Sequence, residues 1–132
     1  MTRACLVLVL ALLAFSAQPA GAKTGDDGGG GDVRVAGVCS GSVTARLRLK
    51  SKSDAIELRF EVERTRARST WRIAFVQERR VVWKGVARST ARDGSFELRR
   101  LLPDLPGADT VTARAWGPRG LTCSASATLA DG

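Results

Sequence analysis

The sequence predicts an all-β fold, an antiparallel β-sandwich of seven or eight strands closed by one disulfide. Apolar residues recur at every second position over most of the chain beyond residue 33, the period of a half-buried strand. Turn-forming clusters interrupt that alternation at intervals of about 10 to 14 residues. Two cysteines, Cys39 and Cys123, stand near the two ends of the alternating region, and no segment sustains the 3.6-residue period of a helix.

The alternation is preceded by two stretches of different character. Met-Thr-Arg leads into the apolar run "CLVLVLALLAF" and then "SAQPAGA", where Ala20-Gly21-Ala22 has the small-x-small pattern of a signal peptidase site. Residues 1–22 are therefore expected to be a secretory signal peptide, with cleavage after Ala17 as the alternative. The run from Ala4 to Phe15 falls short of the roughly 18 to 20 apolar residues of a membrane span. Cys5 would leave with the signal, so it cannot be the acylated first residue of a lipoprotein. No second run of spanning length follows, and the mature chain is expected to be secreted and extracellular, with the cell wall as one place where it would reside. Residues 23–32, "KTGDDGGGGD", lack apolar side chains and read as a flexible leader. They invite comparison with glycine-rich calcium repeats, but Asp32 follows four glycines out of register and the motif is not repeated. No metal is expected there.

The domain is expected over residues 33–130. "VRVAGVC" places Val33, Val35, Gly37 and Cys39 on one face. "SVTARLRLK" turns Val43, Ala45, Leu47 and Leu49 inward, and "AIELRFEVE" does the same with Ile56, Leu58, Phe60 and Val62; the intervening "SKSD" makes them a hairpin. In "TWRIAFVQ" the inward residues are Trp71, Ile73 and Phe75, and in "RRVVWKGVA" they are Val81, Trp83 and Gly85. "ARDG" supplies a turn that tolerates left-handed backbone, and "SFELRRLL" follows with Phe96 and Leu98 inward. After "PDLPGAD", the strands "TVTARAW" and "LTCSASATL" complete the pattern around the turn "GPRG".

The same phase decides the cysteines. Cys39 shares the inward face of its strand and Cys123 shares that of Leu121, Ala125, Ala127 and Leu129. Two cysteines allow one intramolecular pairing, and an exported chain meets an oxidising compartment. A bridge between Cys39 and Cys123 is expected to tie the first strand to the last. A thiol nucleophile would need a base or a helix N-terminus to lower its pKa, and zinc would need about four N or S ligands.

The closing strands add a resemblance. Leu105-Pro106-Gly107 followed by the alternating Val111, Ala113 and Ala115 is similar to the end of immunoglobulin-like and fibronectin type III modules, over about the last third of the domain. Asp109-Thr110-Val111 stands where the fibronectin pattern carries an aromatic corner residue, and Trp71 lies far beyond Cys39, unlike the tryptophan of antibody domains. The chain also resembles small exported actinobacterial proteins of unassigned function. These resemblances imply a fold and a compartment and no activity.

Histidine, asparagine and tyrosine are absent. A Ser-His-Asp or Cys-His site is thereby excluded within the chain. A Ser-Lys dyad would have to use Lys50, Lys52 or Lys84, none in a helical Ser-x-x-Lys context. Glu61 and Glu63 share an outward face, where pairing with arginines is the ordinary role. No catalytic residue, cofactor or metal is expected.

Charge is the main functional clue. The full chain carries 21 Lys+Arg against 13 Asp+Glu, a net +8, and only four of the basic residues are lysines. A high-GC coding bias explains the arginine preference, and a solvated basic face also serves solubility. Arg46, Arg48, Arg59, Arg64, Arg66, Arg68 and Arg72 are nonetheless concentrated in the first two hairpins and their loops, and Trp116 is out of phase with Val111, Ala113 and Ala115, as an exposed aromatic would be. The expectation is a non-catalytic binding module whose arginines contact an anionic cell-wall polymer, the oligomeric state being undefined. Without aromatics on the basic face, nucleic acid is a poor partner. The alternative is an inhibitor of an extracellular protein, acting through "RTRARST", "LLPDLPGAD" or an edge strand.

Overall fold

The computed structural model describes residues 31–130. The expected signal peptide, and the leader apart from Gly31 and Asp32, lie outside the described residues. Among the described residues nine strands run in the order β1 (Asp32–Ala36), β2 (Val38–Cys39), β3 (Thr44–Ser51), β4 (Ala55–Glu63), β5 (Thr70–Gln77), β6 (Arg80–Arg88), β7 (Phe96–Pro103), β8 (Asp109–Trp116) and β9 (Thr122–Leu129). They form two antiparallel sheets, β1-β3-β4-β7 and β2-β9-β8-β5-β6. The one helical element among the described residues is a short 3-10 turn at Pro118–Gly120, and no helix there is long and apolar enough to cross a membrane.

The alternation decides which residues the sheets enclose. Leu47, Leu49, Ile56, Leu58, Phe60 and Val62 of the four-stranded sheet are buried, and they face Trp71, Ile73, Phe75, Val111, Ala113, Ala115, Ala125, Ala127 and Leu129 of the five-stranded sheet. The two inner faces differ in size. Large side chains on β3 and β4 face a layer that carries alanines on β8 and β9, large against small. Aromatic rings fill the remaining end of the core: Phe60 meets Phe75 and Phe96 edge-on at 6.1 and 6.5 Å, and Trp71 lies 5.9 Å from Phe96. Phe75 stacks on Trp83 at 5.1 Å. Trp83 itself covers Gly85, where a Cβ would come within 2.3 Å of the indole.

Three boundaries differ from the sequence expectation, each for a local reason. "VRVAGVC" is broken at Gly37, so that β1 joins one sheet and β2 the other. Gly37 N donates to Ala45 O at 2.8 Å, and a Cβ at Gly37 would sit 3.0 Å from Ala45 Cβ and 3.1 Å from Ser124 O; glycine lets the chain pass between the sheets, and the strand count becomes nine. Val81 points outward, 52% exposed, because the β5–β6 register shifts between Phe75 and Val76 and such a bulge reverses the phase beyond it. Asp32, expected to end the leader, instead opens β1 opposite Lys50.

The β5–β6 hairpin closes through the two residues Glu78 and Arg79, both left-handed at φ 49° and 67°. A two-residue hairpin loop with positive φ at both positions is ordinarily Asn-Gly or Asp-Gly. Here Glu78 compensates through a side-chain contact, its Oε1 accepting the Thr110 N–H at 2.7 Å.

Cys39 and Cys123 are bonded and directly opposed across β2 and β9. Ser40 N donates to Thr122 O at 2.9 Å, which makes the neighbouring Cys39/Cys123 position a non-hydrogen-bonded pair. Such pairs bring the two Cα atoms closest, and here they stand 4.1 Å apart. The bridge spans 84 residues, a loop for which chain entropy contributes about 4.5 kcal/mol of stability. Urea unfolding of the oxidised protein and of the Cys39→Ala/Cys123→Ala variant should differ by roughly that amount; equal midpoints would show that the bridge adds nothing to the packed sandwich.

A candidate anion-binding surface

On the outer face of the four-stranded sheet, the strand register aligns four like charges. Arg34 is opposite Arg48, Arg48 opposite Arg59, and Arg59 opposite Arg99, so one row of guanidinium groups crosses all four strands. Like charges directly opposed are destabilising, and the neighbouring rows offset the cost with carboxylates. Asp32 accepts two hydrogen bonds from Arg48, at 3.1 and 2.8 Å, and lies 3.7 Å from Arg34. Glu97 takes Arg59 and Arg99 at 3.1 and 2.8 Å. Arg46 pairs with Glu61 at 3.7 Å and Glu63 at 3.2 Å, and Lys52 with Glu57 at 3.3 Å. The carboxylates respond: the Arg48 hydrogen bonds hold Asp32 below its ordinary pKa, Lys52 does the same for Glu57, and Arg99 for Glu97.

A second group of arginines occupies one end of the sandwich. Arg64, Arg66 and Arg68 lie in the exposed crossover from β4 to β5, and its shape is fixed by internal hydrogen bonds. The Arg66 carbonyl accepts from the hydroxyls of Thr65, Ser69 and Ser89 at 2.9, 2.7 and 2.6 Å. Trp71 Nε1 donates to Ser69 Oγ at 3.1 Å, and Ser69 N to Ser89 Oγ at 2.8 Å. The neighbouring "ARDG" turn is fastened to the same loop by Thr65 N donating to Gly94 O at 2.9 Å. Gly94 is left-handed, and a Cβ there would fall 1.9 Å from Thr65 O, which requires glycine. Arg88 at the end of β6, Arg92 and Arg119 are found at this same end. The carboxylates there already have partners: Glu63 pairs with Arg46, and Asp93 accepts from Thr90 and Ser95, which hold its pKa low.

The outer face of the five-stranded sheet is built differently. Its outward positions are Thr70, Arg72, Ala74 and Val76 on β5, Val81, Lys84, Val86 and Arg88 on β6, Thr110, Thr112, Arg114 and Trp116 on β8, and Thr122, Ser124, Ser126 and Thr128 on β9. No carboxylate projects from these strand positions; the nearest acidic side chain on this side, Glu78, is engaged at the hairpin turn. Arg72, Lys84 and Arg114 pair with no acid among the described residues. Trp116 stands opposite Arg72 with 38% of its surface exposed, and Val86 is 64% exposed. Arg72, Ala74, Lys84, Val86 and Trp116 line an open depression of about 470 Å³.

The seven arginines singled out from the sequence therefore fall into three environments. Arg46, Arg48 and Arg59 are neutralised on one face, Arg64, Arg66 and Arg68 stand on a fixed loop at one end, and Arg72 lies on the opposite face beside Trp116. Sequence reasoning missed Lys84 and Arg114. Their signal was available in the outward phase: "AIELRFEVE" alternates acids with its arginine, whereas "TWRIAFVQ" and "TVTARAW" have no outward acid. The buried polar residues have structural roles, Gln77 Nε2 donating to Pro103 O at 2.7 Å and to Asp109 Oδ1 at 3.0 Å across the base of β5 and β8. No protein-family model matches the chain, and no curated protein is found similar to it.

The ion-pair ladder makes acid sensitivity predictable. Asp32, Glu57 and Glu97 have folded-state pKa values below their ordinary 3.8, 4.5 and 4.5. Their contribution is complete above the unfolded values and is lost as pH falls through the folded ones. The thermal midpoint should stay level from neutral pH to about pH 5 and drop steadily below about pH 4. Asp32→Asn should lower the neutral plateau and flatten the acid limb; an unchanged acid limb would place the linkage elsewhere.

Proposed function

We propose that the chain is an exported, non-catalytic, immunoglobulin-like binding module that holds anionic polymers of the cell envelope. The observation that carries this reading is the partition of carboxylates. They neutralise the arginine row of the four-stranded sheet and leave unpaired cations at the loop end and on the five-stranded face. Those cations are offered to solvent from fixed backbone, Arg64, Arg66 and Arg68 by the serine and threonine network and Arg72, Lys84 and Arg114 by strand pairing. An arrangement of this kind attracts polyanions at long range, and its backbone needs no ordering when they bind.

Strand order supports the immunoglobulin-like part of the proposal. If β3 is lettered A, the two sheets read ABE and GFCC′, an antibody-type arrangement without strand D, to which β1 and β2 add one strand at the edge of each sheet. Trp71 then lies on strand C, where antibody domains keep a buried tryptophan, although the disulfide joins β2 and β9 and not the strands lettered B and F. A second reading, an inhibitor that inserts the 64–69 loop into a protein cleft, is favoured by the hydrogen bonds that make that loop rigid. The two readings differ in salt response, since contacts made by exposed arginines are screened.

Co-sedimentation of residues 23–132 with purified bacterial walls, at low and high salt and with walls stripped of anionic polymers, tests the proposal. Binding should be salt-sensitive and lost on stripping. Arg64→Ser/Arg66→Ser/Arg68→Ser should weaken it by at least about tenfold, and Arg46→Ser/Arg48→Ser/Arg59→Ser should weaken it far less. The reverse ranking, or binding that ignores salt, would overturn the proposal.

A further inference from the structure

The outer face of the five-stranded sheet has a specific shape around Ala74. The small Ala74 side chain is 7% exposed although it points away from the core, because its neighbours on every side are larger. Lys84 is directly opposite it on β6 and Arg114 directly opposite it on β8. Arg72 and Val76 are its same-face neighbours along β5, two residues away in each direction. Ala74 is thus a floor, and three cations without acidic partners surround it. At one rim, Trp116 presents part of its indole beside Arg72, and both line the 470 Å³ depression with Ala74 and Lys84.

We propose that this depression is a subsite for a sugar ring that carries an anionic group. The inference rests on the polymer-binding reading above and names the chemistry of the unit recognised. A carboxylate or phosphate oxygen seated over Ala74 would meet Arg72 and Lys84 in a depression none of whose lining residues is acidic. Arg72 offers a planar fork suited to two oxygens and Lys84 contributes charge from the same depression, while Arg114 stands on the other side of Ala74. The flat apolar face of a pyranose would then rest on Trp116, an aromatic whose body is apolar and whose edge stays wet. Thr122, opposite Trp116 on β9, is the hydroxyl side chain next to that indole. A second copy of the chain is a poor occupant, because face-to-face pairing would oppose Arg72, Lys84 and Arg114 to the same cations. An acidic protein surface would satisfy the charges but has no need of the indole beside them.

Isothermal titration calorimetry of the oxidised mature protein tests the subsite with four probes. They are trigalacturonate, glucose 6-phosphate, the neutral maltotriose, and a short polyglutamate that has the charge without the sugar. Trigalacturonate, glucose 6-phosphate or both should bind at least about tenfold more tightly than maltotriose and polyglutamate, and which of the two binds identifies the anionic group as carboxylate or phosphate. Ala74→Glu, which places a carboxylate among the cations, should reduce that binding by about tenfold or more, and Trp116→Ala should reduce it while leaving polyglutamate binding unchanged. Lys84→Gln, a surface change that leaves the fold intact, should weaken it as well, and matched thermal midpoints would show that the variants are folded. Binding of polyglutamate equal to that of the acidic sugars would overturn the inference in favour of an acidic protein partner. Absence of sugar binding, or indifference to Ala74→Glu and Lys84→Gln, would also overturn it. If walls are still bound in a salt-sensitive manner in those cases, the polymer-binding reading survives without the subsite; if wall binding is absent too, both fail.

Discussion

Everything in this molecule follows from the commitment of alternate residues to one thin core. Small domains bury a limited share of their surface, and this one fills the space between its sheets with nearly every inward position of β3, β4, β5, β8 and β9. Apart from Asp109, buried beside Gln77, the charged residues among those described lie on the two outer faces and at the two ends. The functional reading is sought in how those surfaces differ, because the buried polar pair, Gln77 and Asp109, serves to join strands.

The two faces solve the same problem in opposite ways. On the four-stranded sheet, register alone brings Arg34, Arg48, Arg59 and Arg99 into one row, and Asp32 and Glu97, each serving two arginines, offset their repulsion. On the five-stranded sheet the cations are spaced by alanine, threonine and serine, so that no two of Arg72, Lys84 and Arg114 stand directly opposite each other. The hydroxyls there bond one another, Thr110 with Thr128 at 2.9 Å and Thr112 with Ser126 at 3.0 Å, which leaves the arginines and Lys84 uncommitted. The disulfide secures β2 to the edge of this sheet and so keeps the chain's passage at Gly37 from opening.

The β-sandwich and its bridge could be read from the chain because both depend on phase. Ile56, Leu58 and Phe60 announce an inward face by themselves, and Cys39 and Cys123 need only be inward to be partners. The break at Gly37 and the outward turn of Val81 depended on which sheet a residue joins and on a bulge in a neighbouring strand, neither of which leaves a mark in local alternation. The candidate surface was half legible for the same reason. Arg46, Arg48 and Arg59 stand among the seven arginines that the sequence singles out, yet their cross-strand acids come from residues as distant as Asp32 and Glu97. Lys84, Arg114 and Ala74 lie far apart in sequence and become one feature only when β6, β5 and β8 are set side by side.

Anion contact through the unpaired cations, and not through the arginine row, is the central claim, and an amide NMR titration with a short polyphosphate tests it most directly. The account predicts shifts along β5, β6 and β8 around Arg72, Lys84 and Arg114 and in the loop from Arg64 to Arg68, with β1, β3 and β4 unmoved. Shifts confined to the strands that carry Arg34, Arg48, Arg59 and Arg99 would contradict it, since they would mean that an anion displaces Asp32 and Glu97 in preference to meeting cations that have no partner.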